Sequence, residues 1–375
     1  MLSRERVLRS LNHQEPDRVP MDLGGTGFTG IQVTAYDNLK KLLGITTPTR
    51  ITNKRAQLVA VEEAVKERFR TDVDGFGLDP LARPPAAAGR PADADADEWG
   101  VRWLCGPTGE HISTDPPLAA VETAAEIEAY PWPDPGAPAR YSGLAAKVQE
   151  LKSKSQRAIS VNLGCQIASQ ARTMRGFEQW CMDFLLDPAL AEAIMRKLTS
   201  LNLVTAERAL AAVGDQVDVV VVSDDLATQS GPMMSPAVYR KIIKPLQQEL
   251  FGFIKARTTA KLFYHCCGAA SFFLEDLLEA GIDILNPVQV SAGSMDPAEL
   301  KKRYGGRVTF WGGVDTQHLL PYGRPQEVSD GVKRLIDVMA PGGGFILAPV
   351  HNVRPEVPPE NLVALFDTAW EYGRK

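Results

Sequence analysis

Short apolar runs alternate with amphipathic stretches of helical length along most of this chain, and that alternation leaves few folds open. The runs are VPMDL (19–23), DVDGFGL (72–78), AISVNL (158–163), VDVVVV (217–222), KLFYH (261–265), IDILNPV (282–288), RVTFWGG (307–313) and GFILAPV (344–350). Between them the pattern predicts helices over 56–69, 188–214, 235–257, 270–281 and 324–340, and a last helix opened by Pro359 and reaching Trp370. Ser235 and Pro236 form a helix-start signal, and Gly214 a helix-stop signal. Strand, helix, strand at this rhythm implies a parallel sheet. Eight such strands suggest an α/β fold of the closed (β/α)8 TIM-barrel type, which needs roughly 250 residues. The chain has 375 residues. It is read as a single domain over 1–375 with an insertion at 80–157, after the second strand. Within the insertion, PLARPPAAAGRPADADADEWG reads as an exposed loop. EWGVRWLCGPTGEHIST (98–114) reads as a hairpin turning at Gly106 to Gly109. Trp99, Trp103 and His111 lie on that hairpin, placed either to cover the barrel mouth or to form a homodimer contact.

Composition narrows the function classes. Hydrophobic residues make up 44% and charged residues 23%, as in ordinary globular proteins. A net charge of -5 and a pI near 5.7 argue against a nucleic-acid footprint. Five cysteines, two of them adjacent, suit free thiols in a reducing compartment better than a disulfide framework. No run approaches the roughly 18 apolar residues of a membrane span. The charged opening MLSRERVLRSLNHQEPDRVP lacks the apolar core of a signal peptide. The expected location is the cytoplasm.

In a (β/α)8 barrel the chemistry sits at the C-terminal ends of the strands. The polar residues fall there: Asp22, Asp79, Asn162, Cys165, Asp224 and Asp225 with Gln229, His265 to Cys267, Asn286 and Gln289, Gly312 and Gly313, and His351 with Asn352. A strand end is polar whenever a loop follows, so one position alone says little. The joint pattern includes two of only five histidines. GGG at 342–344 precedes a strand instead of opening a helix, so it is no phosphate loop. FYHCCG (263–268) carries the densest cluster. Side chains two apart on a strand point the same way, so His265 and Cys267 share a side and Cys266 faces elsewhere. An imidazole nitrogen and a thiolate suit zinc, at roughly 2.0–2.1 Å and 2.3 Å. His351 is the best third ligand by position, with Cys165, Asp224 and Asp225 in reserve. Two other readings stay open: cysteine buried for packing, and a nucleophile with its base.

YHCCG, ILNPVQ, WGGVDTQHLLPYGRPQEV, GGGFILAPVHNVRPEVPPENLVALFD, the opening MLSRERVLRSLNHQEPDRVPM and RGFEQWCMDFLLDP (175–188) together resemble the uroporphyrinogen decarboxylase superfamily. The resemblance covers most of the chain and implies the same barrel. One branch of that superfamily removes carboxyl groups from porphyrinogen acetate side chains without a cofactor. The other resembles methylcobamide-type methyltransferases, which bind zinc through His-x-Cys and a later cysteine. His265 and Cys267 match the His-x-Cys. The later cysteine falls on His351, which also matches the decarboxylases' histidine in Gly-His-Gly. The decarboxylases' Gln-Ala-Gly-Arg motif should follow the first strand, where MDLGGTGFTGI has no arginine to clamp carboxylates. Asp79, in LDPLARPP, falls where the decarboxylases carry their central aspartate.

The resemblance therefore implies a zinc-dependent methyltransferase with His265, Cys267 and His351 as ligands. Asp224, Asp225, Asn286 and Asp79 are its candidate catalytic residues, and Gln229, Gly312, Gly313 and Asn352 its cofactor-facing ones. Cobalamin would arrive on a partner corrinoid-binding protein, and the other reactant would be a small methylated substrate or a thiol acceptor. The alternative is a cofactor-independent decarboxylase of uroporphyrinogen or a related acid. A third reading is a non-enzymatic binding protein on the same barrel.

Overall fold

The computed structural model describes residues 1–81, 96–106 and 111–374. Strands Val73–Gly77, Ala158–Asn162, Val219–Ser223, Lys261–His265, Ile284–Asn286, Thr309–Val314 and Phe345–Pro349 form one parallel sheet in sequence order. The first expected strand, 19–23, joins them as a bridge, Met21 pairing in parallel with Leu347. Leu347 donates to the Pro20 carbonyl and Asp22 to the Leu347 carbonyl, both at 2.9 Å, and Asp72 donates to the Met21 carbonyl at 2.8 Å. These bonds connect the last strand to Val73–Gly77 and close the ring. The segment stays irregular for two reasons. Pro20 has no N–H to give a ladder, and the Met21 N–H donates to the Asp72 carboxylate at 2.9 Å instead.

Alternate strand residues, among them Val73, Val219, Val221, Phe263, Ile284, Trp311, Ile346 and Ala348, fill the interior as one buried cluster. Each fully buried side chain of this kind contributes about 1.5–3 kcal/mol. Helix Ser3–Leu11 adds Val7 and Leu11 to that cluster. Ser10 bonds the backbone at the start of the last strand, its carbonyl accepting from Gly344 N at 2.8 Å and its hydroxyl from Phe345 N at 3.1 Å. The helix thus plugs the N-terminal end of the barrel and leaves the C-terminal end as its mouth. Asp72 anchors the plug, its buried carboxylate accepting from Arg6 at 2.8 Å and Arg18 at 2.7 and 2.9 Å.

The outer helices follow the sequence where it carries caps. Pro188–Val213 starts at Asp187, whose carboxylate accepts from Leu190 N at 3.0 Å, and stops at Gly214. Ser235 caps the next helix, which widens into a π-turn at Tyr239–Ile243 before Lys244–Lys255. Pro245 lacks the N–H that an α-helical bond at this point requires. The expected helix 56–69 begins only at Glu63. Its first part is a short strand, Leu58–Val59, paired with Ile51–Asn53, and Val59 N also donates to Ile31 O at 3.2 Å.

Helices Val33–Leu43, Leu144–Lys154, Ala168–Arg175, Phe177–Leu186 and Pro297–Tyr304 also lie outside the sheet. Leu144–Lys154 is the crossover helix ahead of Ala158–Asn162, so the added structure within 80–157 ends before it. The hairpin pairs Arg102–Cys105 with His111–Thr114 in antiparallel register. Most of its turn, 107–110, and the Pro/Ala/Asp-rich stretch 82–95 lie outside the described residues. All five cysteines are unpaired thiols. Among the described residues no helix is long and apolar enough to cross a membrane.

Candidate metal centre at the barrel mouth

His265 is the last residue of Lys261–His265 and shares the inward parity of Phe263. Its ring is buried, and its Nδ1 lies 2.5 Å from Asn286 Oδ1 at the end of the neighbouring strand. Asn286 Nδ2 donates to the Trp311 carbonyl at 3.0 Å. A carbonyl only accepts, so the amide orientation is fixed and its oxygen must face the imidazole. His265 therefore carries its proton on Nδ1 and keeps the Nε2 lone pair free. That nitrogen lies 3.2 Å from Cys267 Sγ.

His351, just past strand Phe345–Pro349, completes a trio. One ligand atom from each of His265, Cys267 and His351 lies within 4.8 Å of the others. Cys266 points into the buried layer outside the sheet, where its sulfur accepts from Leu226 N at 3.4 Å. Burial lowers the pKa of His265, and burial with the neighbouring His265 lowers that of His351 to about 4. Both imidazoles are neutral at physiological pH, the form that ligates metals. Burial and then the Asp225 carboxylate hold the Cys267 thiol well above its ordinary range. A cation among the three donors reverses that preference, because a coordinating thiol loses its proton. Two nitrogens and one sulfur are a donor set that zinc accepts. The residues fit the metal.

The surroundings hold these donors in place. Phe28 stacks flat on His265, with ring centroids 3.7 Å apart and planes 10° apart, and stands edge-on to His351 at 6.4 Å. The loop carrying Phe28 is tied down by Asp22, which accepts from Gly25 N at 2.7 Å, Thr29 Oγ1 at 2.6 Å and Trp311 Nε1 at 3.0 Å. Asn352 holds the same loop, accepting from Gly30 N at 2.7 Å and donating to the Gly27 carbonyl at 3.2 Å. Asp225 accepts from Cys267 N at 2.9 Å and faces Arg172 at 3.7 Å.

The other expected site residues take varied positions. Asp224 is buried, and its carboxylate accepts from Ile167 N at 3.0 Å and Ser169 N at 2.8 Å, at the start of helix Ala168–Arg175. Desolvation raises its pKa to about 6. Asp79 is exposed beyond strand Val73–Gly77. Gln229 joins an amide chain at the rim, accepting from Gln289 at 2.6 Å and donating to Gln317 at 3.0 Å. Gly312 and Gly313 are buried within Thr309–Val314 at positive φ. A Cβ on Gly313 would come within 2.8 Å of Leu335 on the outer helix, so close helix packing requires that glycine. Sequence reasoning does not single out Phe28 or Arg172. Phe28 had a signal, as the sole aromatic residue in the glycine-rich GGTGFTG. Arg172 had none.

Comparison with known proteins adds a family. The family model described as uroporphyrinogen decarboxylase (URO-D) matches residues 111–372. The methylcobamide:CoM methyltransferase MtaA of Methanosarcina barkeri is 30% identical over 155 residues, 41% of this chain and 42% of that protein. The chain thus spans under half the length of that relative. A uroporphyrinogen decarboxylase of Alkalilimnicola ehrlichii is 25% identical over 374 residues, covering 98% of this chain and 93% of that one. Among solved structures, a methyltransferase from Methanosarcina mazei superposes with a TM-score of 0.67 at 19% identity, covering 99% of both chains, which shows a shared fold.

Proposed function

The chain belongs to the uroporphyrinogen decarboxylase (URO-D) family, and on that premise we propose that it is a zinc-dependent methyltransferase moving a methyl group between a small substrate and a corrinoid protein. The observation that carries this reading is the convergence of His265, Cys267 and His351 at the barrel mouth. Zinc held by those side chains supplies Lewis acidity, making a bound thiol or hydroxyl more acidic near neutral pH. The chain's own residues do the rest. Asn286 fixes the tautomer and plane of His265. Phe28 covers one face of that imidazole and keeps water from it. Asp225 holds the Cys267 backbone and balances charge with Arg172. The methylcobamide named in the MtaA relative supports a corrinoid methyl donor or acceptor. No arginine follows Met21 in MDLGGTGFTGI, where a clamp for porphyrinogen carboxylates would stand.

The test is methyl transfer between free methylcobalamin and a small thiol, followed by the cobalamin absorbance with zinc present. The account expects turnover by the wild-type protein and loss of at least a hundredfold in His265→Ala. No acceleration, or wild-type rates in His265→Ala, would sink it. The match over 98% of the chain to a decarboxylase favours a second reading, cofactor-independent decarboxylation of uroporphyrinogen or a related acid. Metal-independent formation of coproporphyrinogen from uroporphyrinogen would establish that reading instead.

A further inference from the structure

The backbone that carries the Cys267 sulfur is tied at three successive residues. Cys266 N donates to the Asn286 carbonyl at 2.8 Å. Cys267 N donates to the Asp225 carboxylate at 2.9 Å. Gly268 N donates to Gln289 Oε1 at 2.7 Å. Asn286 and Asp225 already belong to the site. Gln289 comes from the loop after strand Ile284–Asn286, and its side chain is buried beneath the rim.

The orientation of this amide is set from both ends. A backbone N–H only donates, so Gln289 turns its oxygen to Gly268 and its Nε2 away. That Nε2 donates to Gln229 Oε1 at 2.6 Å, and Gln229 Nε2 donates to the Ser291 carbonyl at 2.7 Å. A carbonyl only accepts, so the Gln229 amide is oriented independently, and the two orientations agree. Every N–H in the chain points the same way, from Gly268 to Ser291, and each bond polarises the next.

Gly268 itself has little freedom to move. It holds φ at 81°, and a Cβ there would lie 2.4 Å from the Thr228 carbonyl oxygen. Ala269 N donates to that same oxygen at 2.9 Å. With the Gln289 oxygen gone, a buried N–H loses its acceptor, and the peptide between Cys267 and Gly268 must turn to find another. Cys267 Sγ, 3.2 Å from His265 Nε2, moves with it. A displacement of about 0.5 Å is enough to spoil a site of this kind.

We propose that Gln289 is a positioning residue for the metal centre: its side-chain oxygen holds the Gly268 N–H and so keeps Cys267 Sγ where it and His265 Nε2 reach one ion. The proposal rests on the metal-centre reading and adds to it an acceptor atom that touches no metal. Were Gln289 only a clasp between rim loops, its loss would lower stability and leave the sulfur–metal bond unchanged.

Two measurements on the full chain, first freed of metal by a chelator, separate these roles. A coordinated thiol is deprotonated, so added cobalt(II) gives a thiolate-to-cobalt charge-transfer band only where sulfur binds. A competitive chelator titration gives the zinc affinity. Gln289→Leu keeps the volume and removes the acceptor. It should weaken zinc binding at least about tenfold, the lower end of what such partners contribute, and lose most of the band, while the circular dichroism of the metal-free protein is unchanged. Gln289→Asn stays polar, falls one methylene short of Gly268, and should follow Gln289→Leu. Gln289→Glu keeps an acceptor oxygen and should retain the band with wild-type or tighter zinc binding. A wild-type band and affinity in Gln289→Leu or Gln289→Asn overturn the proposal and leave the metal centre standing. So does a Gln289→Glu as impaired as Gln289→Leu. A wild-type protein with neither the band nor zinc affinity overturns the metal centre, and this proposal with it.

Discussion

Asn286 decides what His265 can do. Its amide reads the Trp311 carbonyl on one side and presents its oxygen to the imidazole on the other. Replacement by leucine keeps the volume and removes that orientation. Partners of this kind typically contribute 10–100-fold in metal affinity, so Asn286→Leu should weaken zinc binding by about that factor in a competitive chelator titration. Unchanged affinity would show that the imidazole is held by Phe28 alone. Asp22 works through the loop that carries Phe28. Burial raises its pKa from 3.8 to about 6. A raised folded-state pKa stabilises below the unfolded value and loses that contribution as pH rises through the folded value. Wild type should therefore lose roughly 2–3 kcal/mol relative to Asp22→Asn between about pH 4 and pH 6. Urea unfolding across that range reads the difference, and parallel pH profiles would refute it. At this scale the sequence carried the meeting of His265, Cys267 and His351. Strand parity separated Cys266 from His265 and Cys267, and the end of the last strand supplied His351. It could not show that Asp224 faces the start of a helix while Asp225 faces the trio, because neighbouring carboxylates carry no sign of which backbone N–H groups they will meet.

Elements were legible wherever period and punctuation agreed. KLFYH spans the same residues in the sequence reading and in the structure, and Pro188–Val213 stops at Gly214 as its signal indicates. The reading failed where tertiary contacts override local pattern. Residues 56–62 have a helical pattern, yet Val59 and its neighbours bond to Ile31 and Arg50 across the loop. Helices Ala168–Arg175 and Phe177–Leu186 were hidden by Gly176 at a φ of 88° between them. The loop from Asp22 to Gly30 was legible only as glycine-rich. Its function comes from how closely it approaches the barrel wall. A Cβ at Gly75 would run into the Gly25 carbonyl, which also accepts the Ser160 hydroxyl. Gly75→Ala should push the loop outward at a cost of about 1–3 kcal/mol, lowering the melting temperature and exposing residues 22–30 to limited proteolysis. A melting curve and digest identical to wild type would contradict the closed loop described here.

Over the whole molecule, the alternation of strands and helices was sufficient to indicate the barrel. Its closure was not foreseeable in detail, since the residues that join first and last strands do so through one bridge and the Asp72 carboxylate. That closure matters to the site. It brings Phe28, carried between the first and second expected strands, against His265 from the fifth, and it sets His351 from the eighth beside both. The centre of the account is the metal. Zinc content of the purified protein, measured together with X-ray absorption at the zinc edge, tests it most directly. The account predicts close to one zinc per chain, with sulfur at about 2.3 Å and nitrogen at about 2.0–2.1 Å, and loss of the metal in Cys267→Ala and His351→Ala. A protein without zinc, or one that keeps its zinc and its sulfur scattering in Cys267→Ala, would contradict it.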